Sequence, residues 1–351
     1  MRRMKMKKIA LLLALMMMFS ACGSKAPAAS SGAGASQPAA SASQPAQSEQ
    51  EHVLLKLNHV QSNTDPAHAA FEELAKNVME RSNGTLEIQV YANSELGSNK
   101  DNLEQIKNGA NIIANADPAL MADYVPDYSV MNGPFLFKSN DDLQKLYNSA
   151  WHDGIEEKCS EQGIKVLAMN WYFGERHIIS KKPVQTPADL KGMKVRVPSA
   201  TMWAETMKAM GAVPTTLQWS EVYSGLEQGV VEAAEAPLST IYTSKLQEAA
   251  KNVSLTGHFT GIIGLEMSQQ IWDSLSDEHK TILTEEVAKQ GEKYSAGVIA
   301  DEESWKQKLI DEGVTVHEVD RAPFAEAAKA AYDKFPEWTP GLYETVQEAL
   351  K

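Results

Sequence analysis

One strand-like segment carries a cationic side chain whose chemistry suits an acid ligand. In the sequence LKGMKVRVPSA, Met193, Val195 and Val197 occupy alternate positions, as on the buried face of a β-strand. Pro198 then ends the alternation. Arg196 lies on the opposite face, and its planar guanidinium can bind both oxygens of a carboxylate. The segment alone leaves two interpretations open, an anion-binding arginine and an ordinary solvated charge.

Three further polar residues stand at the ends of predicted strands. His59 ends the strand VLLKLNHV, and Asn115 and Asp117 lie at the end of the strand ANIIANA. In α/β sheets small ligands bind outside the carboxyl ends of the strands, where polar side chains can bond ligand hydroxyls. Capping of the neighbouring loops explains the same residues nearly as well.

Catalytic and metal-binding spacings are missing from the sequence. It contains no H-E-x-x-H, no G-x-S-x-G, no P-loop and no C-x-x-C, and its eight histidines are scattered. We therefore expect no metal, no cofactor and no catalytic residues. An exported enzyme stays open as an alternative, because a nucleophile and its base can meet in a cleft without a local motif.

The pattern of elements predicts an α/β fold. Strand-like and helix-like segments alternate from residue 53 onwards, which favours strands covered by helices. A helical pattern then runs almost unbroken from Ser276 to Gly313. At 1.5 Å per residue this helix is more than about 50 Å long, so we expect it to cross between two lobes. A coiled coil is the alternative, although the heptad seam is not strict.

The N-terminal sequence is typical of an exported, lipid-anchored protein. Residues 1–21 have a basic start and an apolar core too short to span a bilayer, which indicates a signal peptide. The end of that segment, FSAC, resembles the lipobox of bacterial lipoproteins, with Cys22 as the acylated residue. Residues 22–52 are rich in Ala, Ser, Gln and Pro and predict a flexible tether. Cys159 is the other cysteine, so no internal disulfide is expected.

The charge excludes two classes of partner. Loss of residues 1–21 removes five of 33 basic residues and none of the 46 acidic ones, which changes the formal charge from −13 to −18. A chain this acidic is not expected to bind nucleic acid or an anionic membrane surface. An acid ligand must then be held by a local positive site.

One long block resembles a known family. The sequence from Thr186 to Tyr242 is similar to the core of the DctP-type solute-binding proteins of TRAP transporters, and GTLEIQVYANSELG, NGPFLF and DSLSDEHKTIL also have counterparts there. The resemblance implies a two-lobed periplasmic-binding-protein-like α/β fold with hinge segments and a long helix spanning both lobes. It places residues 53–173 and 262–301 in lobe I, and residues 174–261 and 302–351 in lobe II.

The resemblance also implies the binding site. Arg196 matches the arginine that forms a salt bridge with the ligand carboxylate, and Arg176, in the turn FGER, matches a second arginine near the ligand. Trp219 matches an aromatic residue of the pocket. Glu235 keeps an acid of the family pattern, but Ala236 replaces the amide that usually bonds the carboxylate. For Arg176 a structural ion pair, and for Trp219 a core role, are the alternatives.

These observations predict an extracytoplasmic lipoprotein that captures a small organic acid and delivers it to the membrane subunits of a TRAP transporter. The ligand is expected to be a sugar acid, a monocarboxylate or a C4-dicarboxylate, and the missing amide argues against the last. A sensory lipoprotein that signals to a receptor kinase would need the same pocket, so this alternative stays open.

The lipobox yields the first testable prediction. Cys22→Ser should abolish incorporation of radiolabelled palmitate in cells, because the acylated thiol is lost, while the wild-type chain is labelled. Equal labelling of the two proteins would contradict lipidation at Cys22.

Overall fold

Two long β-strands run side by side through the centre of the fold, and the other strands are added on either side of them. They span Ile164–Ser180 and Asn252–Ser268, each 17 residues long. The structure is a computed structural model that describes residues 52–351. The predicted signal peptide, Cys22 and nearly all of the predicted tether lie outside the described residues.

Nine strands in this part of the chain form one mixed sheet. They are β1 (Val53–Asn58), β2 (Leu86–Tyr91), β3 (Ile112–Ala114), β4 (Ile164–Ser180), β5 (Lys194–Val197), β6 (Val213–Thr216), β7 (Ala233–Ala236), β8 (Asn252–Ser268) and β9 (Thr315–His317). The order is β2-β1-β3-β8-β4-β7-β5-β6, and β9 pairs with β8. The outer pairs are parallel, whereas β4 is antiparallel to both β7 and β8.

Helices connect these strands, as the alternation in the sequence predicts. They are α1 (Pro66–Arg81), α2 (Asn99–Lys107), α3 (Pro118–Met121), α4 (Asn140–Tyr147), α5 (Ala150–Glu161), α6 (Thr201–Ala209), α7 (Val222–Gln228), α8 (Leu238–Thr243), α9 (Leu246–Ala249), α10 (Gln269–Ser274), α11 (Asp277–Asp311), α12 (Arg321–Ala328) and α13 (Leu342–Ala349). Short 3-10 helices cover Pro126–Asn132, Pro187–Leu190, Trp219–Glu221 and Lys329–Lys334. None of the helices within residues 52–351 has the length and apolar character needed to span a membrane.

The central strand pair changes register where the two halves of the sheet meet. Residues before Gly174 in β4 pair with the end of β8, which adjoins β3, and residues after it pair with the start of β8. Gly174 lies opposite Gly261 and has φ of +105°, a conformation that favours glycine. The two halves of the fold are therefore joined by continuous strands with a glycine pair at the crossing. The predicted lobe boundaries fall at this crossing, and the assignment of residues to lobes stays a prediction.

The long helix predicted from the sequence is confirmed. Helix α11 has 35 residues, which is about 50 Å at 1.5 Å per residue. It packs against α1 and β4, and it also contacts α8 and β9 beside the other half of the sheet. Its backbone accepts a hydrogen bond at Val287 from the indole of the buried Trp171 at 3.2 Å. One rigid element therefore supports both halves.

The C-terminal segment is hydrogen-bonded to residues 126–134, which are distant in the sequence. The Trp338 indole donates to the carbonyl of Pro126 at 3.1 Å, and the Thr339 hydroxyl donates to Asp127 at 2.7 Å. The Tyr332 hydroxyl donates to the carbonyl of Pro134 at 2.9 Å. The predicted boundaries place the two residues of each of these bonds in different lobes. On those boundaries the C-terminal segment would connect lobe II to lobe I.

The glycine pair yields a stability prediction. In Gly261→Ala the new Cβ would lie 2.8 Å from the carbonyl oxygen of Gly174. This is a backbone atom, so no side-chain rotation can relieve the clash. We expect a loss of about 1–3 kcal/mol in unfolding free energy, measured by urea denaturation. Gly154→Ala in α5 is the control, because its Cβ would meet no atom within 4 Å. Equal stability of Gly261→Ala and the wild type would contradict a close backbone contact at the crossing.

Candidate ligand-binding cleft

A cleft opens between the two halves of the sheet. Its empty space, including the open mouth, is about 920 Å³, within the range of small-molecule sites. Its walls come from loops after β1 and β3, from β4, β5 and β7, and from α6 and α8. Six of the residues predicted from the sequence line it: Asn115, Asp117, Arg176, Arg196, Trp219 and Ala236. These residues are up to 121 positions apart in sequence, and the fold brings them to one site.

Arg176 is bound by a carboxylate of the protein itself. Its Nε donates to Glu235 at 2.5 Å, and its Nη2 donates to the other carboxylate oxygen at 2.9 Å. The antiparallel pairing of β4 and β7 makes this contact possible, because Glu235 lies opposite Ile178, which shares a face of β4 with Arg176, and a long side chain can reach this diagonal neighbour. The indole of Trp203 donates to Glu235 at 3.0 Å and completes the group.

The pair is buried, which fixes its charge state. Glu235 is fully buried and the Arg176 side chain is 12% exposed. Burial lowers the pKa of Arg176, but the attraction and hydrogen bonds of Glu235 outweigh it and hold that pKa above its ordinary value. Arg176 is therefore a cation whose charge is already neutralised. The alternative considered for it, a structural ion pair, describes its contacts in the structure.

Arg196 has the opposite environment. It is 4% exposed, and its Nε donates to the carbonyl of Leu217 at 3.0 Å. Its guanidinium lies over the ring of Trp219, 5.2 Å from the centroid. No carboxylate among residues 52–351 lies within 4.0 Å of it. Burial lowers its pKa to about 10, so it remains charged at neutral pH.

Asp117 and Asn115 present acceptors to the cleft. Asp117 caps α3, and one of its oxygens accepts from the backbone N–H groups of Ala119 and Leu120 at 3.1 and 3.2 Å. Burial raises the pKa of Asp117 to about 6, although Arg176 opposes that rise. Asn115 donates to the carbonyl of Gly264 at 3.2 Å. Asp117 therefore caps a helix, as its alternative interpretation states, and it also lines the cleft, where its contact with a ligand stays a prediction.

Two of the predicted residues do not line the cleft. Glu235 lies behind the wall, where it holds Arg176 and Trp203. His59 is fully buried, with its Nε2 3.0 Å from Nδ1 of His68 and its ring against Phe71. Burial lowers the pKa of His59 to about 4. The end of β1 turns the His59 side chain into the core, so this structure gives no support to the prediction that His59 contacts the ligand.

Several lining residues were not predicted from the sequence. Trp203 and Met207 are buried residues of α6, and an apolar helix face gives no sign of the indole bond from Trp203 to Glu235. Further polar lining residues are Gln61, just after β1, and Asn132, at the end of a 3-10 helix, whereas Phe173 and Thr240 lie inside β4 and α8. Lys100 also lines the cleft, and its ammonium is paired with Asp123 at 2.6 Å.

A contact beside the cleft joins its two sides. The Asp65 carboxylate accepts hydrogen bonds from the hydroxyls of Thr240 and Thr243, both at 3.0 Å. Asp65 caps α1, whereas both threonines belong to α8. Asp65 and Thr240 are almost completely buried, so this contact is closed to solvent.

The Arg176–Glu235 pair yields a stability prediction. Glu235→Ala should lower the unfolding free energy by about 3–5 kcal/mol, because it leaves a buried guanidinium without its partner. Glu175→Ala is the matched control, since it breaks a half-exposed carboxylate–arginine pair with Arg321 and should cost about 0–1 kcal/mol. Urea denaturation of both variants measures the difference. Equal losses would contradict a buried, charged pair.

Comparison with known proteins shows the family to which the chain belongs. Residues 57–337 match the profile of the family described as bacterial extracellular solute-binding protein, family 7, or DctP. The sialic acid-binding periplasmic protein SiaP of Vibrio cholerae is 30% identical over 262 residues, which are 75% of this chain and 82% of that protein.

Solved structures show the same fold. A TRAP periplasmic solute-binding protein from Ochrobacterium anthropi with bound L-fuconate is 35% identical, has a TM-score of 0.83, and matches 86% of this chain and all of that one. One from Actinobacillus succinogenes with bound L-galactonate is 35% identical, has a TM-score of 0.82, and matches 85% of this chain and 99% of that one. The chain therefore belongs to the DctP family, family 7 of the bacterial extracellular solute-binding proteins.

Proposed function

We propose that the chain binds a hydroxylated monocarboxylic acid in the cleft and delivers it to the membrane subunits of a TRAP transporter. The observation that carries this proposal is the difference between the two arginines. Arg176 is neutralised by Glu235, whereas Arg196 has a buried guanidinium with no carboxylate partner among the described residues. A buried unpaired charge is costly, and a ligand carboxylate would remove that cost.

The remaining charges argue against a second negative group on the ligand. Asp117 lines the cleft, and Glu235 lies just behind the wall beside Arg176. A dianion would place its second charge near these carboxylates, and like charges at short range repel. Ala236 also offers a methyl group where the family pattern has an amide donor. The cleft therefore suits one carboxylate better than two.

Polar side chains in the cleft suit hydroxyl groups. Asp117 and Asn115 offer acceptors, and Asn132 uses its oxygen to accept from the Ala119 N–H at 2.8 Å, which leaves its amide donors for a ligand. Thr240 and Gln61 add further polar groups. The relatives described above bind sialic acid, L-fuconate and L-galactonate, all of them hydroxylated monocarboxylic acids, but other relatives bind sn-glycerol 3-phosphate or C4-dicarboxylates. The preference for one carboxylate is therefore argued from the charges of this cleft.

The position in the cell completes the proposal. A signal peptide over residues 1–21, acylation of Cys22 and a tether over residues 22–52 would hold the folded part outside the cytoplasm, close to a permease. Lobe I would comprise residues 53–173 and 262–301, and lobe II the rest of the folded chain. Ligand contacts made by both lobes would favour a closed state, the usual hinge motion of two-lobed binding proteins.

The anchor role of Arg196 yields a binding prediction. Arg196→Ala should weaken binding of galactonate by about 2–5 kcal/mol, which is roughly 30-fold to several thousand-fold in Kd. Arg196→Lys should also bind poorly, because it loses the bidentate fork. Lys194→Ala, on the same strand but exposed, is the control and should leave binding unchanged. Calorimetry on folded variants measures the three values. Unchanged affinity in Arg196→Ala would refute the anchor role.

The same calorimetry tests the charge of the ligand. Galactarate carries a second carboxylate on the same skeleton, and sn-glycerol 3-phosphate is a smaller dianion. We expect both to bind at least tenfold more weakly than the best aldonate, because Asp117 and Glu235 repel the second charge. Tighter binding of either dianion than of every aldonate in a panel would contradict the proposal.

A further inference from the structure

A second cavity lies beside the strand crossing. Its walls come from α1, from the start of α8, from the middle of α11 and from β4 at Phe173 and Gly174. Its empty space, including the mouth, is about 800 Å³. Phe173 also lines the cleft, so the two spaces share a wall. We call this space the hinge cavity, and it is distinct from the proposed acid site.

The body of the hinge cavity is apolar and unfilled. Ala69, Leu238, Val298 and Trp305 contribute much of its surface. Gly297 lies on the cavity side of α11, and a Cβ there would meet no atom within 4 Å. Glycine inside a helix costs about 1 kcal/mol relative to alanine. No packing contact requires a glycine at position 297. The glycine therefore leaves the cavity larger at a cost in helix stability.

One end of the hinge cavity is neutral. There the carboxylate of Glu73 is bonded to the Lys293 ammonium at 2.6 and 2.7 Å. The Gln290 amide also donates to Glu73, at 3.4 Å. This end offers no uncompensated charge to a ligand.

The other end is acidic. Asp301 and Glu302 line it and have no lysine or arginine within 4.0 Å among the described residues. The partner of Glu302 is Nε2 of His177, at 3.8 Å. That interaction lowers the pKa of Glu302 although burial opposes it, so the group is ionised at neutral pH. The nearby Lys306 is bonded to other acids, Glu303 and Glu318.

A metal ion is a poor fit to this end. Glu175, His177 and Glu302 bring potential ligand atoms within 4.8 Å of one another. However, the Arg321 guanidinium holds both oxygens of Glu175 at 2.8 and 2.7 Å, and a metal ion would have to displace it. An organic cation needs only the carboxylates of Asp301 and Glu302 at the rim, which no lysine or arginine of residues 52–351 holds within 4.0 Å, and the apolar body behind them.

We propose that the hinge cavity binds an organic cation, a protonated amine attached to an apolar body. The ammonium group would lie at the Asp301 and Glu302 end, and the apolar body would pack against Leu238, Val298 and Trp305. An acid would be repelled by the same carboxylates. This site would therefore take a ligand of opposite charge to the one proposed for the cleft.

The location couples the two sites. The hinge cavity is bounded by α1 and α8, which are also joined by the bonds from Thr240 and Thr243 to Asp65. Thr240 lines the cleft. A ligand that fits between α1 and α8 in this arrangement favours it over one in which they separate, and so it must change the affinity for the acid.

Three probes of one shape but different charge test the site. They are 2-phenylethylamine, 2-phenylethanol and phenylacetate, titrated against the purified full chain by saturation-transfer NMR. We expect the amine to bind at least tenfold more tightly than the alcohol, and the acid not to bind at this site. Gly297→Leu should weaken amine binding at least tenfold by filling the cavity. Gly154→Leu, whose Cβ also meets open space, is the control and should not.

Further variants separate this proposal from the function of the cleft. Asp301→Asn combined with Glu302→Gln should bring the amine to the affinity of the alcohol. Arg196→Ala should leave amine binding unchanged even if acid binding is lost. Equal affinity for all three probes, undetectable amine binding at millimolar concentration, or full amine binding in folded Gly297→Leu would each overturn the proposal.

Discussion

The buried ion pair between Arg176 and Glu235 is the contact on which the proposed chemistry depends. Moving two charges out of water is costly, and the cost is offset here by a two-oxygen fork and by the Trp203 indole. The pair joins β4 to β7 in the wall of the cleft. Because the Arg176 guanidinium is paired with a carboxylate of the protein, Arg196 is the arginine available to a ligand. The proposed selectivity for a single carboxylate rests on that division.

The cleft and the hinge cavity lie beside the same few structural elements. Strands β4 and β8 pass continuously from one half of the sheet to the other. Helix α11 packs against elements of both halves. The cleft and the hinge cavity share Phe173 beside the crossing at Gly174. Any relative movement of α1 and α8 therefore alters both spaces together. This shared boundary is the physical basis for expecting one ligand to influence the other.

The sequence predicts local features well and pairings poorly. The 35-residue helix and the strand around Arg196 follow from hydrophobic periodicity. The bond between Arg176 and Glu235 joins residues 59 positions apart and depends on strand register, which no local pattern encodes. The burial of His59 away from the cleft was unpredicted for a related reason. A strand-end position shows that a side chain is near the ligand edge of a sheet, but not whether it turns towards the ligand or the core.

The most direct test of the account is the identity of the molecule that the protein carries. Mass spectrometry of the ligand released from purified, undialysed protein can determine its mass, its hydroxyl content and its number of acidic groups. The account predicts a hydroxylated acid with one carboxylate, lost from Arg196→Ala and retained by Lys194→Ala. A dicarboxylate or a phosphate monoester, released in stoichiometric amount, would contradict the claim that Arg196 is the one cation lining the cleft, among residues 52–351, that has no carboxylate within 4.0 Å.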